Sequence, residues 1–205
     1  MDGTIQNSES LAREGTRYGF QSILKRDPTP EEYAELTGRP APMVYKQWFE
    51  ASLAVKILAE GTSYYEAHAG EIVCYPEVLE LLTKLHRRSY RMGVVTSKRR
   101  IHAIRELTSK QLNTVFEMIV AQEDTALHKP HPEPLLVAAD NMKVDPVDCI
   151  YIGDQPTDIE AAYGAGMRSI AALWGEGRLE KLSSSRPTMV ARSPMDILGI
   201  LHELA

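Results

Sequence analysis

The sequence predicts an α/β fold with a parallel sheet and an inserted helical lobe. Residues 8 to about 71 carry apolar side chains at helical spacing throughout. After Pro76, short β-rich runs alternate with amphipathic helices, which is the pattern of a parallel sheet. Polar residues suited to chemistry follow the predicted strands, where the sites of such sheets lie.

The helical lobe is predicted to span residues 8–74. Apolar residues keep helical spacing until Asp27 and Pro28 interrupt the run. Thr29 and Glu32 are then placed for a capping box at the start of the next helix. Further apolar residues at helical spacing are Trp48, Phe49, Leu53, Ile57 and Leu58. No convincing strand is found in this segment.

The core is predicted to comprise residues 1–7 and 75–205. Its predicted strands are Met92–Thr96, Val115–Val120, Cys149–Ile152 and Ser169–Leu173. Its predicted helices are Val78–Arg88, Ile101–Leu107, Leu135–Met142, Asp158–Ala165 and Pro194–Leu204, the last with Ser193 as its cap. This alternation predicts parallel strands joined by helical crossovers.

Composition excludes several classes of function. The 205 residues carry a net charge of -5 without a strong basic cluster, so a nucleic-acid partner is not expected. No apolar run approaches the ~20 residues of a membrane helix, and no membrane partner is expected. Two distant cysteines indicate neither a disulfide framework nor a CxxC site. The expected location is the cytoplasm.

Two aspartates follow the third predicted strand in the pattern Gly-Asp-x-x-x-Asp. Asp154 comes directly after the strand, and Asp158 lies one helical turn further on. Mg²⁺ takes one or two protein carboxylates together with water and phosphate, so this position suits it. The alternative is a helix N-cap with a second acid in the first turn. Taken alone, the pattern favours that alternative.

A lysine and two hydroxyl residues are candidates for binding phosphate. Lys129 is followed by Pro130 and Pro132, which restrict the backbone and suit a lysine held in a fixed position. Thr96 and Ser97 end another predicted strand, where a hydroxyl and backbone N–H groups can hold a phosphate at a helix N-terminus. A solvated loop lysine and N-cap hydroxyls are the alternatives when each is taken alone.

Considered together, these residues resemble the four motifs of the haloacid dehalogenase (HAD) superfamily. The order and spacing are carried by Asp2-Gly3-Thr4, Thr96, Lys129-Pro130, and Gly153-Asp154 with Asp158. The resemblance covers essentially the whole chain. The helical lobe resembles the type-1 cap of the phosphoglycolate phosphatase and pyrophosphatase-like branch. The resemblance therefore implies a Rossmann-like parallel-sheet core with an inserted α-helical cap.

The resemblance also implies a role for each motif residue. Asp2 is expected to be the general acid/base, with its backbone carbonyl on the metal. Thr96 and Lys129 are expected to bind the phosphoryl oxygens, and Lys129 also to restrain the acidic cluster. Asp154 is expected to bind Mg²⁺, with Asp158 supporting the metal or its waters. The implied reaction is Mg²⁺-dependent hydrolysis of a small phosphorylated metabolite through an aspartyl-phosphate, by a monomer or homodimer.

The chain departs from the family pattern at the first motif. In the family, an apolar strand ends in a nucleophilic aspartate two positions before the general acid, and that position here would precede Met1. We therefore expect the first strand and the nucleophile to be missing from this chain. Strands beside the missing one would lack a hydrogen-bonding partner, and the reaction of the chain as given would be impaired.

Other interpretations stay open at this point. A β-phosphoglucomutase-like phosphotransferase shares the core and cap, and a catalytically inactive pseudophosphatase would keep the pocket only to bind phosphorylated ligands. The retained motif residues weigh against a protein that lost its catalytic function long ago. Arg39, in the linker between two cap helices, is a weak candidate for a second anionic group of the substrate. The simpler interpretation is that Arg39 is an exposed loop residue without a ligand.

Extending the chain upstream with an apolar strand that ends in Asp is expected to restore Mg²⁺-dependent hydrolysis, because the covalent route needs that carboxylate. Asp2→Asn in the extended form is expected to slow the reaction severely. The measurement is phosphate release from a generic phosphomonoester by both lengths, with and without Mg²⁺. Equal activity of the two lengths would show that the nucleophile has been misplaced.

Overall fold

The computed structural model describes residues 1–204, which form two compact units. One unit contains Met1–Asn7 and the chain from Val73 onward, and the other contains Ser8–Ile72. The sequence-based boundary after residue 74 differs because Val73 and Cys74 pair with the strand at residues 6–7. The predicted end of the core at Ala205 lies outside the described residues.

The Ser8–Ile72 unit is built from helices. These are α1 (Glu9–Leu24), α2 (Pro30–Leu36), α3 (Ala41–Trp48) and α4 (Ala51–His68), followed by a 3₁₀ turn at Ala69–Glu71. The capping box predicted at α2 is confirmed: the Glu32 N–H donates to Thr29 Oγ1 at 3.2 Å, and the Thr29 N–H donates to Glu32 Oε2 at 2.7 Å. Aromatic and aliphatic side chains form its core, with Phe20, Tyr45, Ala54 and Ile57 buried.

Helices α1 and α4 pack closely where glycines replace side chains. A Cβ atom added at Gly19 would lie 2.5 Å from the Ile57 carbonyl oxygen, and one added at Gly61 would lie 2.8 Å from the Gly15 carbonyl oxygen. Both approaches are shorter than a normal contact, so each backbone occupies the space that a side chain would need. The helix spacing therefore depends on these glycines.

The other unit alternates strands and helices. Its strands are β1 (Gln6–Asn7), β2 (Val73–Cys74), β3 (Gly93–Val95), β4 (Met118–Val120), β5 (Ile150–Gly153), β6 (Arg168–Ala172) and β7 (Met189–Ala191). Its helices are α5 (Val78–Arg87), α6 (Arg100–Ser109), α7 (Glu133–Met142), α8 (Pro156–Gly164), α9 (Leu179–Leu182) and α10 (Asp196–Leu204). No helix among residues 1–204 has the length and apolarity to cross a bilayer.

Strands β3 to β7 are parallel, so the predicted α/β class is confirmed. β3 pairs with β4, and β5 pairs with β6, which pairs with β7. These are two separate sheets in the described chain, while β1 and β2 form an antiparallel pair. The Tyr151 hydroxyl on β5 donates to the Val95 carbonyl oxygen on β3 at 3.1 Å. A side chain thus joins the two parallel sheets.

Several predicted elements need correction. The strand predicted at Val115–Val120 is limited to Met118–Val120, because Val115 lies in a turn and donates to the Leu112 carbonyl. The last helix begins at Asp196, whose carboxylate accepts the N–H of Ser193 at 3.0 Å. Strand β7 was not predicted, since its three residues show no clear alternation.

Helices hold the ends of these strands in place. Residues from α7 and α8 pack with the last residues of β3 and β4 in a cluster that includes Val95, Val120, Leu135, Ala161 and Ala162. A second cluster joins α5 and α10 to β6. The carboxyl end of β3, where Thr96 was predicted as a site residue, is therefore closely packed against α7 and α8.

Gly19→Ala is expected to lower the free energy of unfolding by about 1–3 kcal/mol, because the added Cβ overlaps with the Ile57 carbonyl. Gly199→Ala in α10 is the matched control, since nothing lies within 4 Å of its added Cβ. Its better helix propensity should raise stability by about 0.5–1 kcal/mol. Urea denaturation followed by circular dichroism measures both. Stabilisation by Gly19→Ala would contradict the close helix approach.

Candidate active site

The Asp2-Gly3-Thr4 turn is held by backbone geometry and by distant residues. Gly3 has φ = 72°, a left-handed conformation that favours glycine, and a Cβ there would overlap with the Asp154 carboxylate. The Trp174 indole N–H donates to the Thr4 carbonyl oxygen at 2.8 Å. A Cβ at Gly175 would overlap with the Gly3 carbonyl. Trp174 and Gly175 therefore position the turn.

Asp154 lies at the carboxyl end of β5 and is buried. Its Oδ1 accepts the Thr4 hydroxyl at 2.9 Å, and its Oδ2 accepts the Gln155 side-chain amide at 2.8 Å. Both of these donors are neutral. The Asp154 carboxylate thus faces the Asp2-Gly3-Thr4 turn across 150 residues of sequence.

Asp158 lies in the first turn of α8 and caps its N-terminus. Its Oδ2 accepts the N–H groups of Asp154 at 3.2 Å and Gln155 at 3.1 Å. Asp158 is thus the acid in the first turn of α8, as the capping interpretation of the sequence has it, but the N-cap residue is Gln155 rather than Asp154. The other carboxylate oxygen accepts Lys129 Nζ at 2.5 Å. One buried carboxylate therefore joins the helix N-terminus to the Lys129 loop.

Lys129 is buried in a polar contact rather than solvated. Its side chain is 10% exposed, and its ammonium group donates to Asp158 Oδ1 and, at 3.0 Å, to the Tyr151 hydroxyl. Tyr151 in turn donates to the Val95 carbonyl, one residue before Thr96. The Lys129 ammonium group is thereby linked to the ends of both β3 and β5.

The charge of Asp158 shifts the pKa values of Lys129 and Asp154, and the charge of Lys129 shifts that of Asp158. Burial opposes ionisation of Asp158, but the Lys129 ammonium outweighs it and lowers the pKa of Asp158. Burial likewise opposes the charge on Lys129, and Asp158 nevertheless raises the lysine pKa above its ordinary value. For Asp154, burial and then the negative charge of Asp158 raise the pKa from 3.8 to about 6. Lys129 therefore neutralises Asp158 more fully than Asp154.

These contacts bring part of the predicted set together. Thr4 of the Asp2-Gly3-Thr4 turn contacts Asp154, and Asp158 contacts both Lys129 and the backbone N–H of Asp154. These residues therefore share one region of the α/β unit.

Thr96 lies at the end of β3. It is buried, its N–H donates to the Val120 carbonyl at 2.9 Å, and its hydroxyl accepts the Lys98 N–H at 3.2 Å. Ser97 is half-buried in the same turn. The Thr96–Lys98 turn thus precedes α6, the arrangement expected for a phosphate site. Roles for Thr96 and Ser97 in binding phosphate stay predictions.

The Asp2 carboxylate is directed toward a different set of side chains. Its Oδ1 accepts Lys98 Nζ at 2.7 Å and the Gln6 amide at 3.0 Å. Among residues 1–204, no three His, Cys, Asp or Glu side chains are grouped to hold a metal. The Asp2 side chain therefore does not join the carboxylates of Asp154 and Asp158 in a three-carboxylate cluster. The role predicted for its backbone carbonyl stays a prediction.

The donors at the strand end fit Mg²⁺. Two buried carboxylates lie beside the ammonium group of Lys129, and the side-chain hydrogen-bond partners of Asp154 are neutral. The raised pKa of Asp154 shows that its surroundings leave its negative charge incompletely compensated. A hard cation would compensate it, with phosphate and water as further ligands.

Arg39 lies in the Ser8–Ile72 unit, whereas the residues above belong to the α/β unit. It is exposed after α2, and its N–H donates to the Leu36 carbonyl at 3.2 Å. This exposure is what the simpler interpretation of the sequence expected. A contact between Arg39 and a substrate stays a prediction.

Sequence reasoning missed Tyr151 and Gln155 as partners of the charged residues. Tyr151 is placed in a β-rich run, which favours a purely apolar packing role. A buried tyrosine hydroxyl needs a hydrogen-bond partner, and that requirement was the available signal. Gln155, directly after Asp154, carried no such signal.

In this parallel α/β unit a lysine and two aspartates meet beside the carboxyl end of β5, an arrangement suited to enzymes that act on phosphoryl groups. Residues 1–172 match the description "Haloacid dehalogenase-like hydrolase". The chain belongs to this family of haloacid dehalogenase-like hydrolases.

Similar proteins specify the enzyme class further. Pyrophosphatase PpaX of Bacillus pumilus is 31% identical over 201 residues, covering 98% of this chain and 93% of that protein. Phosphoglycolate phosphatase of Salmonella typhimurium is 30% identical over 142 residues, covering 67% of this chain and 56% of that protein. A hydrolase of Pseudomonas syringae shares the fold, with a TM-score of 0.87, 22% identity and coverage of 100% and 96% of the two chains. The chain is an enzyme of the phosphatase type.

Asp154→Asn is expected to stabilise the Mg²⁺-free chain at pH 7. The folded-state pKa of Asp154, about 6, exceeds the ordinary value of 3.8, so the folded state binds a proton more tightly than the unfolded state. Stability from this group is therefore lost as pH rises from about 4 to above 6. Removing the ionised carboxylate should raise the free energy of unfolding at pH 7 by on the order of 1–3 kcal/mol, and by little at pH 4.

Denaturant unfolding at both pH values measures this difference. Asp148→Asn is the control, because Asp148 is exposed and its change should stay within about 0.5 kcal/mol. Equal effects of Asp154→Asn at pH 4 and pH 7 would contradict the raised pKa.

Proposed function

We propose that this chain is a Mg²⁺-dependent phosphatase that hydrolyses a small phosphomonoester, as a phosphoglycolate phosphatase does. The observation that carries the proposal is the buried contact of Lys129 with Asp158, beside Asp154 and the Asp2-Gly3-Thr4 turn. It combines a fixed cation for phosphoryl oxygens with carboxylates for a metal. Small phosphorylated metabolites are the proposed substrates.

Lys129 and Thr96 would bind the transferring phosphoryl group. The ammonium group of Lys129 keeps its charge because Asp158 raises its pKa, and Tyr151 fixes its direction. Thr96 offers a hydroxyl at the end of β3, in the turn before α6. A preorganised donor at this place stabilises negative charge on the oxygens without reorganising during the reaction.

Asp154 would hold Mg²⁺, with Asp158 orienting the site through its contacts with the backbone of α8. Bound Mg²⁺ supplies positive charge to the phosphoryl oxygens. In the upstream-extended chain, the added aspartate would attack phosphorus while Asp2 donates a proton to the oxygen of the leaving group. Asp2 would then accept a proton from the water that releases phosphate from the aspartyl-phosphate. Its carboxylate lies in the same turn as Thr4, which contacts Asp154.

A diphosphate is the second candidate substrate. The observation that favours it is the 31% identity to a protein named pyrophosphatase PpaX over nearly the whole length of both chains. Both substrates present a terminal phosphoryl group to the same lysine and metal. They differ in the leaving group, which is an alcohol in one case and phosphate in the other.

The test is phosphate release from 2-phosphoglycolate and from inorganic diphosphate, with Mg²⁺ and with EDTA. It is run on the chain as given and on the upstream-extended chain. Lys129→Met, measured on protein whose fold is verified by circular dichroism, is expected to lower kcat/KM by about 10²–10³-fold. Lys181→Met, which changes an exposed lysine in α9, is the control and should change it little.

Two results would contradict the proposal. Phosphate release that is unaffected by EDTA would exclude the metal dependence. Absence of release from both substrates by both chain lengths would exclude the hydrolytic activity. A preference for diphosphate over phosphoglycolate would select the second candidate substrate.

A further inference from the structure

A second polar cluster, partly buried, lies beside the proposed active site. It consists of Asp2, Gln6, Lys98 and Glu106, all within the α/β unit. Glu106 is only 2% exposed although it is a carboxylate in the middle of α6. Burying an ionised group requires compensating partners, so this placement calls for an explanation.

The cluster connects the two carboxylates through shared donors. Lys98 Nζ contacts Asp2 Oδ1 at 2.7 Å and Glu106 Oε2 at 2.5 Å. The Gln6 amide donates to Asp2 Oδ1 at 3.0 Å and also to Glu106 Oε2. Glu106 Oε2 therefore accepts hydrogen bonds from both Lys98 and Gln6. Both of these side chains also donate to Asp2 Oδ1.

The donors are themselves restricted by their surroundings. Gln6 is fully buried in β1, which pairs with β2, and the Lys98 side chain is 12% exposed. A lysine ammonium on a four-carbon stem has no fixed direction of its own. Contact with Glu106 fixes the direction of the ammonium group. Glu106 itself is held by α6, in which Ala103 and Leu107 are also buried.

We propose that Glu106 is a positioning residue for Asp2, acting through Lys98 and Gln6. It holds the two donors, and the donors set the orientation in which the Asp2 carboxylate meets the oxygen of the leaving group. The inference rests on the proposed function, in which Asp2 moves the proton. Proton transfer requires the carboxylate within hydrogen-bond reach of that oxygen, so its orientation affects the rate.

A positioning role differs from a purely structural one in its dependence on the leaving group. An alcohol leaving group needs the proton from Asp2, whereas p-nitrophenolate leaves readily without it. Misorienting Asp2 should therefore slow hydrolysis of 2-phosphoglycolate much more than hydrolysis of p-nitrophenyl phosphate. Loss of folded enzyme would slow both equally.

The experiment compares kcat/KM for these two substrates in the chain as given and in the upstream-extended chain. Glu106→Gln is expected to lower the value for 2-phosphoglycolate about 10–100-fold, a part of the 10²–10⁴-fold contribution of a general acid, and the value for p-nitrophenyl phosphate at most about threefold. Asp2→Asn serves as the reference for loss of the proton donor. Glu117→Gln, which breaks an exposed ion pair with Arg91, is the matched control and should alter neither value.

A second measurement does not depend on turnover. The ¹³C resonance of the Asp2 carboxyl carbon, identified by its absence in Asp2→Asn, is recorded for the chain as given. Glu106→Gln is expected to shift or broaden it, while Glu117→Gln should leave it unchanged. If Glu106→Gln does not fold, Gln6→Met removes one of the two donors and is expected to change the resonance in the same way.

The outcomes separate the two proposals. If Asp2→Asn slows both substrates equally, the proton-transfer role of Asp2 fails, and the resonance alone then decides whether Glu106 positions that carboxylate. If Asp2→Asn is selective but Glu106→Gln is not, the positioning role is overturned. An Asp2 resonance that is unchanged in the folded Glu106→Gln or Gln6→Met variant overturns it as well.

Discussion

The ion pair between Lys129 and Asp158 is the contact on which the site depends. Asp158 accepts the backbone N–H groups of Asp154 and Gln155 with one oxygen and the lysine with the other. It thereby ties the Lys129 loop to the end of β5 and the start of α8. Neither partner is tolerated alone at this depth, because a buried charge without its counterpart is costly. The loop, strand and helix therefore keep one arrangement.

The sequence was informative at positions that both the chemistry of the site and the topology of the fold determine. Polar residues at the ends of parallel strands must lie at one edge of the fold, so Lys129, Asp154 and Asp158 were predictable as neighbours. The capping box at Thr29 was predictable because it depends only on local spacing. The details that could not be predicted involve partners distant in sequence. Nothing near Glu106 indicates that this helical glutamate is buried against Lys98.

Errors at the sequence level also have physical causes. The predicted strand at Val115–Val120 was too long, because the apolar residues of the preceding turn resemble a strand in sequence. β7 was missed because three residues are too few to show alternation. The absence of pairing between β3 and β5 is not such an error, because strands beside a missing first strand were expected to lack a hydrogen-bonding partner. Their connection is a tyrosine hydroxyl, which no backbone pattern predicts.

The contacts of Thr4 have a consequence for the order of events during biosynthesis. Its hydroxyl meets Asp154 and its carbonyl meets Trp174, 150 and 170 residues away along the chain. Closing such long loops is entropically unfavourable until other contacts form, and the partners leave the ribosome long after Thr4 does. Helices α1 and α4 pack on each other within the Ser8–Ile72 unit, whose residues leave the ribosome early. The proposed site is thus among the last parts of the protein to be assembled, so a nascent chain carries no finished copy of it.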